Sequence, residues 1–168
     1  FKAAMVAMGA AAAYAAAQQL FELAKQGAAV ADQLDAVKTR VTDAEDVIAK
    51  VRASTTGIVD DASITKGIAL FDAFGLEISQ LPGLMEQASK TSLRTGESVD
   101  FLVESAIKGV ARMSPPILDN LGLQVKLADA TQAAAEKFGV EASALDETQK
   151  KAGMLSIVLK KLGEQNKD

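Results

Sequence analysis

The sequence predicts an all-α protein in which a long N-terminal coiled-coil-like helix is followed by a cluster of about five or six shorter helices. Two observations support this fold class. Apolar residues recur at steps of three and four, the spacing of one helix face, and no segment alternates with period two over a strand's length. Ser, Asp and Pro stand where the periodic segments begin, and Gly stands where they end, as helix caps require.

The composition removes several kinds of chemistry. The chain has 168 residues and contains no His, no Cys and no Trp, so thiolate nucleophiles, Cys/His zinc sites and imidazole relays are excluded. The formal net charge of −4 and the aromatic content of 4% argue against binding phosphates or stacking bases. We therefore expect no enzyme, no catalytic, metal or cofactor site, and no specific nucleic-acid partner. The chain opens on Phe1, from which we expect it to be a piece of a longer protein.

The first predicted element is one long Ala-rich helix over residues 1–53. Apolar or small residues from Val6 to Val51 keep an unbroken alternation of steps of three and four, which is the a/d spacing of a heptad seam. A helix from Ala3 to Ala53 would be about 75 Å long at ~1.5 Å per residue, so we expect part of it to meet another chain. The seam residues expected to mediate self-association are Val6, Leu20, Leu23, Val30, Leu34, Val37, Val41, Ile48 and Val51.

Three interpretations of this helix remain open. It packs on its own domain, it coils with other copies, or its N-terminal part contacts a membrane. The uncharged residues 3–21 approach the ~20 residues that a bilayer-spanning helix needs. Ala dominates that stretch, however, so its transfer into lipid would be only marginally favourable.

The remaining residues are predicted to form a linker over 54–61, a helical domain over 62–163 and a polar tail over 164–168. The predicted helices of the domain cover about 62–74, the segment from Pro82 to Gly96, the segment that Ser98 caps, a short helix after Ser114, about 127–138, and 146–162. In the fifth, the buried stripe is expected to be Leu127, Thr131, Ala134 and Phe138. The last is expected to begin with a capping box of Asp146 and Gln149 and to stop at Gly163.

Glycine marks several helix ends. Gly75, Gly122 and Gly139 are each followed by an apolar residue, a pattern that predicts a left-handed glycine with the next side chain folded back on the helix. Lys66-Gly67-Ile68-Ala69 and Lys108-Gly109-Val110-Ala111 also echo each other. That echo suggests a degenerate helical duplication, although it rests on only two short copies.

Glu97 and Glu104 are the candidates for a catalytic carboxylic acid. Glu97-Ser98 and Glu104-Ser105 resemble the Glu-Ser pair of lytic transglycosylases, in which one carboxylic acid performs the acid/base work. The residues after Ser105 lack the Gly-Leu-Met-Gln element of those enzymes, and their later aromatic-rich motifs have no counterpart. We therefore interpret Glu97 and Glu104 as solvated residues at a helix start and on a helix face.

From about residue 90 onward, the order of motifs resembles the tail-length tape measure protein of tailed bacteriophages and prophages. The matching segments are Gly96-Glu97-Ser98-Val99, Ile107-Lys108-Gly109, Arg112-Met113-Ser114-Pro115-Pro116, Leu118 to Leu123, Ala130 to Gly139, Leu145 to Leu155, and Val158-Leu159. Residues 1–53 share only the general character of that family, which is Ala-rich and coiled-coil-like. The chain is far too short for a whole tape measure, so it would be a segment of one.

The resemblance implies a structural role. In that family an extended, mostly helical protein occupies the tail lumen during assembly, and its length sets the length of the tail tube. The implied partners are tail tube and tail assembly proteins, and the implied locations are the lumen of the virion tail and the cytoplasm of the bacterial host. The alternative is a small helical protein-binding or adaptor module, which predicts a compact monomer with the long helix folded back on residues 58–163.

Overall fold

The computed structural model describes residues 27–167. Within that range the chain forms eight α-helices and two single-turn 3-10 helices, and it contains no strand, so the all-α prediction is confirmed. The α-helices are α1 (the described residues 27–40), α2 (Ala44–Ser54), α3 (Asp61–Ala73), α4 (Leu81–Thr95), α5 (Val99–Ala111), α6 (Pro115–Asp119), α7 (Leu127–Phe138) and α8 (Glu147–Gln165). The 3-10 helices are Ile78–Gln80 and Ala142–Ala144.

The prediction of one continuous helix reaching Ala53 is wrong in the described part. α1 ends at residue 40 and α2 begins at Ala44, and in the turn between them Asp43 has a φ of 64°, which a helix interior does not adopt. The physical reason is the packing of α2 against α4. α2 buries Ala44, Val47, Ile48 and Val51, a core-facing stripe wider than a two-residue seam. Residues 1–26 of the predicted helix lie outside the described residues.

The core of the described residues lies mainly among α2, α3, α4, α5 and α8. The apolar spacing of the sequence predicts buried stripes of Ile64, Ile68, Phe71 and Phe74 in α3, of Leu81, Leu84, Met85 and Ala88 in α4, and of Val99, Leu102, Val103, Ala106, Ile107 and Val110 in α5. All of these side chains are buried except Phe74 and Val99, which are partly buried. After α6 the chain crosses in an extended conformation, with Leu123 and Val125 buried and Gln124 exposed between them. Apolar and polar residues alternate briefly from Leu123 to Leu127 in the sequence, and this short alternation corresponds to a crossing segment rather than a strand.

Helix starts follow the predicted caps. The Ser98 hydroxyl oxygen accepts a hydrogen bond from a backbone N–H in the first turn of α5, and Asp146 forms the predicted capping box with Gln149. Asp60 caps α3 in the same way as Ser98 caps α5. Ser114 occupies the N-cap position of α6 as predicted, but its side chain makes no cap hydrogen bond.

The glycine turns are left-handed as predicted. Gly75, Gly122 and Gly139 have φ values of 65°, 71° and 65°. The apolar residues after the first two, Leu76 and Leu123, are buried, and their N–H groups donate to carbonyls five residues back. Val140 forms the corresponding backbone hydrogen bond after the third glycine, but its side chain is 37% exposed and does not fold back.

The predicted stop of the last helix at Gly163 is wrong, because α8 continues to Gln165. Asn166, the C-cap residue, donates side-chain hydrogen bonds to the backbone oxygen of Gln87 (3.0 Å) and the hydroxyl of Thr91 (3.2 Å), both in α4. These bonds hold the end of α8 against α4, so the helix continues past the glycine.

The predicted stripe of α7 is also wrong in part. Leu127 and Phe138 are exposed, Thr131 is only partly buried, and the buried residues are Ala130 and Ala134. The reason is the close approach of α7 to α8. A Cβ atom placed on Gly153 would lie 2.3 Å from the Ala130 carbonyl oxygen, so only small side chains fit between the two helices.

Candidate interaction site

Most of the described residues in the seam predicted for self-association are buried in the chain's own core. Val37, Val41, Ile48 and Val51 are buried, whereas Val30 and Leu34 are half-buried on α1. A side chain that is buried within its own chain cannot pack against a second chain in the same conformation. The remaining large seam residues, Val6, Leu20 and Leu23, lie outside the described residues.

α1 lies against α3 and closes one side of a groove. Gln33, Ala36 and Val37 of α1 line this groove, which has a volume of about 500 Å³. Its other walls come from α3, through Ala62 and Ala69, and from Asp100 in the first turn of α5. Arg40, Thr65 and Lys66 also line the groove, so its walls combine apolar side chains with polar and charged ones.

Two exposed ion pairs flank the turn between α1 and α2. The Arg40 Nε atom lies 3.0 Å from an Asp72 carboxylate oxygen in α3, and the Lys38 Nζ atom lies 3.2 Å from a Glu45 carboxylate oxygen in α2. Asp35, Asp43 and Asp46 line the open cleft beside this turn. Among residues 27–167, no group of three or more acidic side chains is arranged to hold a metal ion.

A lysine–glutamate–lysine cluster joins α3 to α5. The Lys66 Nζ atom donates to one Glu104 carboxylate oxygen (2.6 Å), and the Lys108 Nζ atom donates to the other (2.5 Å). The hydrogen bond from Lys108, followed by that from Lys66, lowers the pKa of Glu104 to about 2. This cluster was not predicted from the sequence. The Lys-Gly echo was its signal, since the two echoed lysines, Lys66 and Lys108, bind the same carboxylate.

This geometry bears on the glutamates considered for catalysis. A general acid must hold its proton near neutral pH, and a carboxyl group with a pKa of about 2 is ionised there. Glu97 is exposed between α4 and α5, where its carbonyl oxygen accepts a hydrogen bond from Ser92 (2.6 Å) and its N–H donates to Thr95 (3.3 Å). The hydrogen bonds of Glu97 are thus made by its backbone at a turn, and Glu104 is an ion-pair partner.

A second polar cluster holds the end of α3 against α7 and α8. The Glu77 carboxylate accepts hydrogen bonds from Lys137 (3.0 Å) and from Ser79 (3.0 Å), and these bonds lower the pKa of Glu77. Lys151 in α8 donates to the Phe74 carbonyl oxygen (3.4 Å), one of the carbonyls left without a helical partner at the end of α3. These contacts position the segment after α3 against α7 and α8.

Six large apolar side chains of the described residues are exposed. Leu93, the most exposed, is 74% accessible at the end of α4, and Ile58 and Phe101 are about half accessible elsewhere. Phe138 and Val140 are exposed together where α7 ends. Isolated apolar residues are ordinary on protein surfaces, so none of these positions alone identifies an interface.

Within residues 27–167, no helix combines the length and apolarity needed to cross a membrane. Residues 3–21, for which membrane contact was considered, lie outside that range. Comparison of the chain with protein-family models, with curated proteins and with solved structures finds no match.

Proposed function

We propose that this chain is a segment of a phage tail tape measure protein, a structural virion component that acts through its length and through helix association. The observation that carries the proposal is the order and spacing of the motifs from about residue 90 onward. Several of these motifs fall at helix boundaries, including the Ser98 cap of α5, the start of α6 at Pro115, the turn at Gly122 and the cap of α8 at Asp146. Each motif alone is ordinary helix punctuation, so the proposal depends on their order and spacing.

In this role the protein acts as a ruler. A helix advances by ~1.5 Å per residue, so a helical protein stretched along a tube fixes a distance in proportion to its residue number. The partners would be the tail tube and tail assembly proteins, in the host cytoplasm during assembly and then in the tail lumen. No step of this mechanism needs a catalytic residue, a metal or a cofactor.

The ruler is tested by changing its length in the phage or prophage that encodes it. Deleting residues 27–54 in frame should shorten the tails by about 42 Å, and duplicating them should lengthen the tails by the same amount. Electron microscopy of negatively stained virions measures both. Asp35→Ala, which changes no length, is the matched control. Tails of unchanged length in both length variants would contradict the proposal.

Self-association is the part of the proposal that can be tested on the isolated protein. We expect an elongated trimer or larger oligomer in light scattering combined with small-angle X-ray scattering, formed through the N-terminal part of the seam. Leu20→Asp with Leu23→Asp places charge in the seam and should reduce the mass. Gln18→Asp, at a position that the heptad spacing places opposite the seam, should leave the mass unchanged. A wild-type mass of one chain at every concentration would exclude self-association.

Membrane contact by residues 3–21 is a separate expectation, motivated by the lack of charged residues there. A peptide covering residues 1–30 should float with liposomes in a density gradient if this segment enters lipid. Recovery of the peptide in the soluble fraction would exclude membrane contact without affecting the ruler.

An adaptor module remains the second candidate, and one observation favours it. α1 and α2 contact the helices that follow residue 58 and contribute Val37, Ile48 and Val51 to the core. A compact monomer in the scattering experiment, together with unchanged tail lengths, would select the adaptor over the tape measure segment.

A further inference from the structure

The turn between α1 and α2 interrupts a sequence pattern that is itself uninterrupted. Leu34, Val37, Val41, Ala44 and Ile48 follow one another at steps of three and four across the turn. A straight helix through residues 41–43 would place all five on one face. The same residues therefore suit two backbone conformations, the observed bent one and a straight one.

The departure from helical geometry is confined to three residues. The Val41 N–H still donates to the Val37 carbonyl (2.8 Å), and helical bonding resumes where the Val47 N–H donates to the Asp43 carbonyl (3.0 Å). Asp43 itself has φ 64° and ψ 12°, and its side chain makes no cap hydrogen bond to α2. A residue with a Cβ atom is strained in this left-handed conformation, so straightening the turn would relieve strain at Asp43.

The two helices beside the turn are held unequally. α2 buries four side chains and packs on α4, whereas Val37 is the buried residue of the described part of α1, with Leu34 partly buried. The ion pair of Arg40 with Asp72 is exposed on both sides, and exposed pairs contribute little to stability. α1 is therefore the helix that can leave the core while α2 stays in place.

We propose that residues 41–43 are a joint, through which α1 leaves the groove beside α3 and continues α2 as one straight helix over residues 27–54. In the straight form Leu34 and Val37 face the α1 of a second copy of this chain instead of α3. The partner of this face is a second copy of the chain because the seam has the spacing of a coiled coil that pairs with itself. The inference rests on the proposed function, because straightening makes the α1 part of the seam, Val30, Leu34 and Val37, available for self-association while Ile48 and Val51 stay in the core.

The joint is tested by a distance measurement. The chain has no Cys, so Asp32→Cys and Ala49→Cys, both at exposed positions, give two unique sites for spin labels. Pulsed electron paramagnetic resonance should find a Cα separation of about 26 Å in the straight helix and a shorter one in the bent form. The full chain is measured at low and high concentration.

Two substitutions at Asp43 should change the population of the straight form in opposite directions. Asp43→Ala increases the strain of the bent form, so the population at about 26 Å should rise about fivefold, whereas Asp43→Gly removes the strain and should lower that population. Asp35→Ala removes a similar charge at an ordinary helical position and should shift nothing. Val37→Ala loosens α1 without touching the turn and should raise the straight population as well.

Absence of the 26 Å component in both Asp43→Ala and Val37→Ala, at every concentration, would overturn the joint. A 26 Å component in a protein that stays at the mass of one chain would support the joint and exclude self-association from the proposed function. A rising mass with only the short distance would overturn the joint and assign association to other residues.

Discussion

The contact between α7 and α8 is so close that one added methyl group should disturb it. A Cβ atom on Gly153 would lie 2.3 Å from the Ala130 carbonyl oxygen and 2.6 Å from the Ala134 Cβ atom. The first of these neighbours is backbone, which cannot rotate away as a side-chain end can. Gly153→Ala therefore requires α7 to move away from α8 by about 1 Å, in an interior packed without spare volume.

Two opposing terms set the size of the effect. Overpacking of this kind costs about 1–3 kcal/mol, whereas replacing Gly by Ala within a helix contributes about 1 kcal/mol of stability. Ala130 and Ala134 are the buried residues of α7, so moving the helix weakens its main attachment. Because the nearest neighbour is backbone at 2.3 Å, we expect an overpacking cost in the upper part of that range, about 2–3 kcal/mol. The net loss in the free energy of unfolding is then about 1–2 kcal/mol, equivalent to roughly 2–8 °C in Tm.

Urea and thermal unfolding followed by circular dichroism measure this loss, and α8 supplies the control. A Cβ atom on Gly163 meets nothing within 4 Å, so Gly163→Ala adds helix propensity without a clash and should stabilise the fold by up to about 1 kcal/mol. The two substitutions are chemically identical, and we expect them to have opposite signs. A Gly153→Ala protein as stable as the wild type would refute the close packing of α7 on α8.

Three further predictions concern caps, a glycine turn and pH. Asp146→Ala removes a cap hydrogen bond of 2.8 Å and should lower the free energy of unfolding by about 1 kcal/mol, whereas Ser114→Ala removes no such bond and should change it by less than about 0.5 kcal/mol in urea unfolding. Gly75→Ala meets no atom within 4 Å but must adopt a φ of 65°, so thermal unfolding should show a cost of about 1 kcal/mol from strain alone. Glu104 has its pKa lowered to about 2 from an ordinary 4.5, so its ion pairs stabilise the fold above about pH 4.5 and lose that contribution as the pH falls toward 2. The urea midpoints of wild type and Glu104→Gln should therefore converge across this window, and a constant difference would contradict the ion-pair assignment.

Local features of this fold were predictable from the sequence because their causes are local. A cap such as Ser98 or Asp146 satisfies N–H groups within three residues of itself, and a left-handed glycine such as Gly75 closes the helix that it follows. The stripes of α3 to α5 were also predictable, since large apolar residues on one face contrast with polar residues on the other. Each of these features is readable within a short window of sequence.

Features decided by a distant partner were not predictable in this way. Large residues suggested that Leu127 and Phe138 are buried in α7, but the glycine on α8 selects the face that carries Ala130 and Ala134. The end of α8 is displaced past Gly163 because its C-cap asparagine bonds to α4. In both cases the deciding partner lies on another helix: Gly153 on α8 decides which face of α7 is buried, and Gln87 and Thr91 on α4 hold the end of α8.

The candidate site shows the same division between local and distant causes. The apolar spacing of the seam was readable, but the choice between packing on the chain's own core and packing on another copy depends on the surface that α4 and α3 present. Asp43 is the N-cap residue of α2 and is followed by Glu45 and Asp46 in the first turn, so the sequence does carry a helix-start signal here, but the unbroken apolar spacing favoured a continuous helix. The Lys-Gly echo was visible, whereas the convergence of Lys66 and Lys108 on Glu104 needed the packing of α3 against α5.

If the chain extends along a tail lumen as proposed, the extension should begin at the turn between α1 and α2. Opening the cluster of α3 to α8 would expose side chains such as Phe71, Ile107 and Leu155, each of which contributes about 1.5–3 kcal/mol through burial. Releasing α1 exposes mainly Val37, at a cost in the same range for a single side chain, and relief of the strain at Asp43 offsets about 1 kcal/mol of that cost. A second copy that covers the exposed Leu34 and Val37 face could supply the remainder. Association would therefore straighten the α1–α2 segment while leaving the other helices folded.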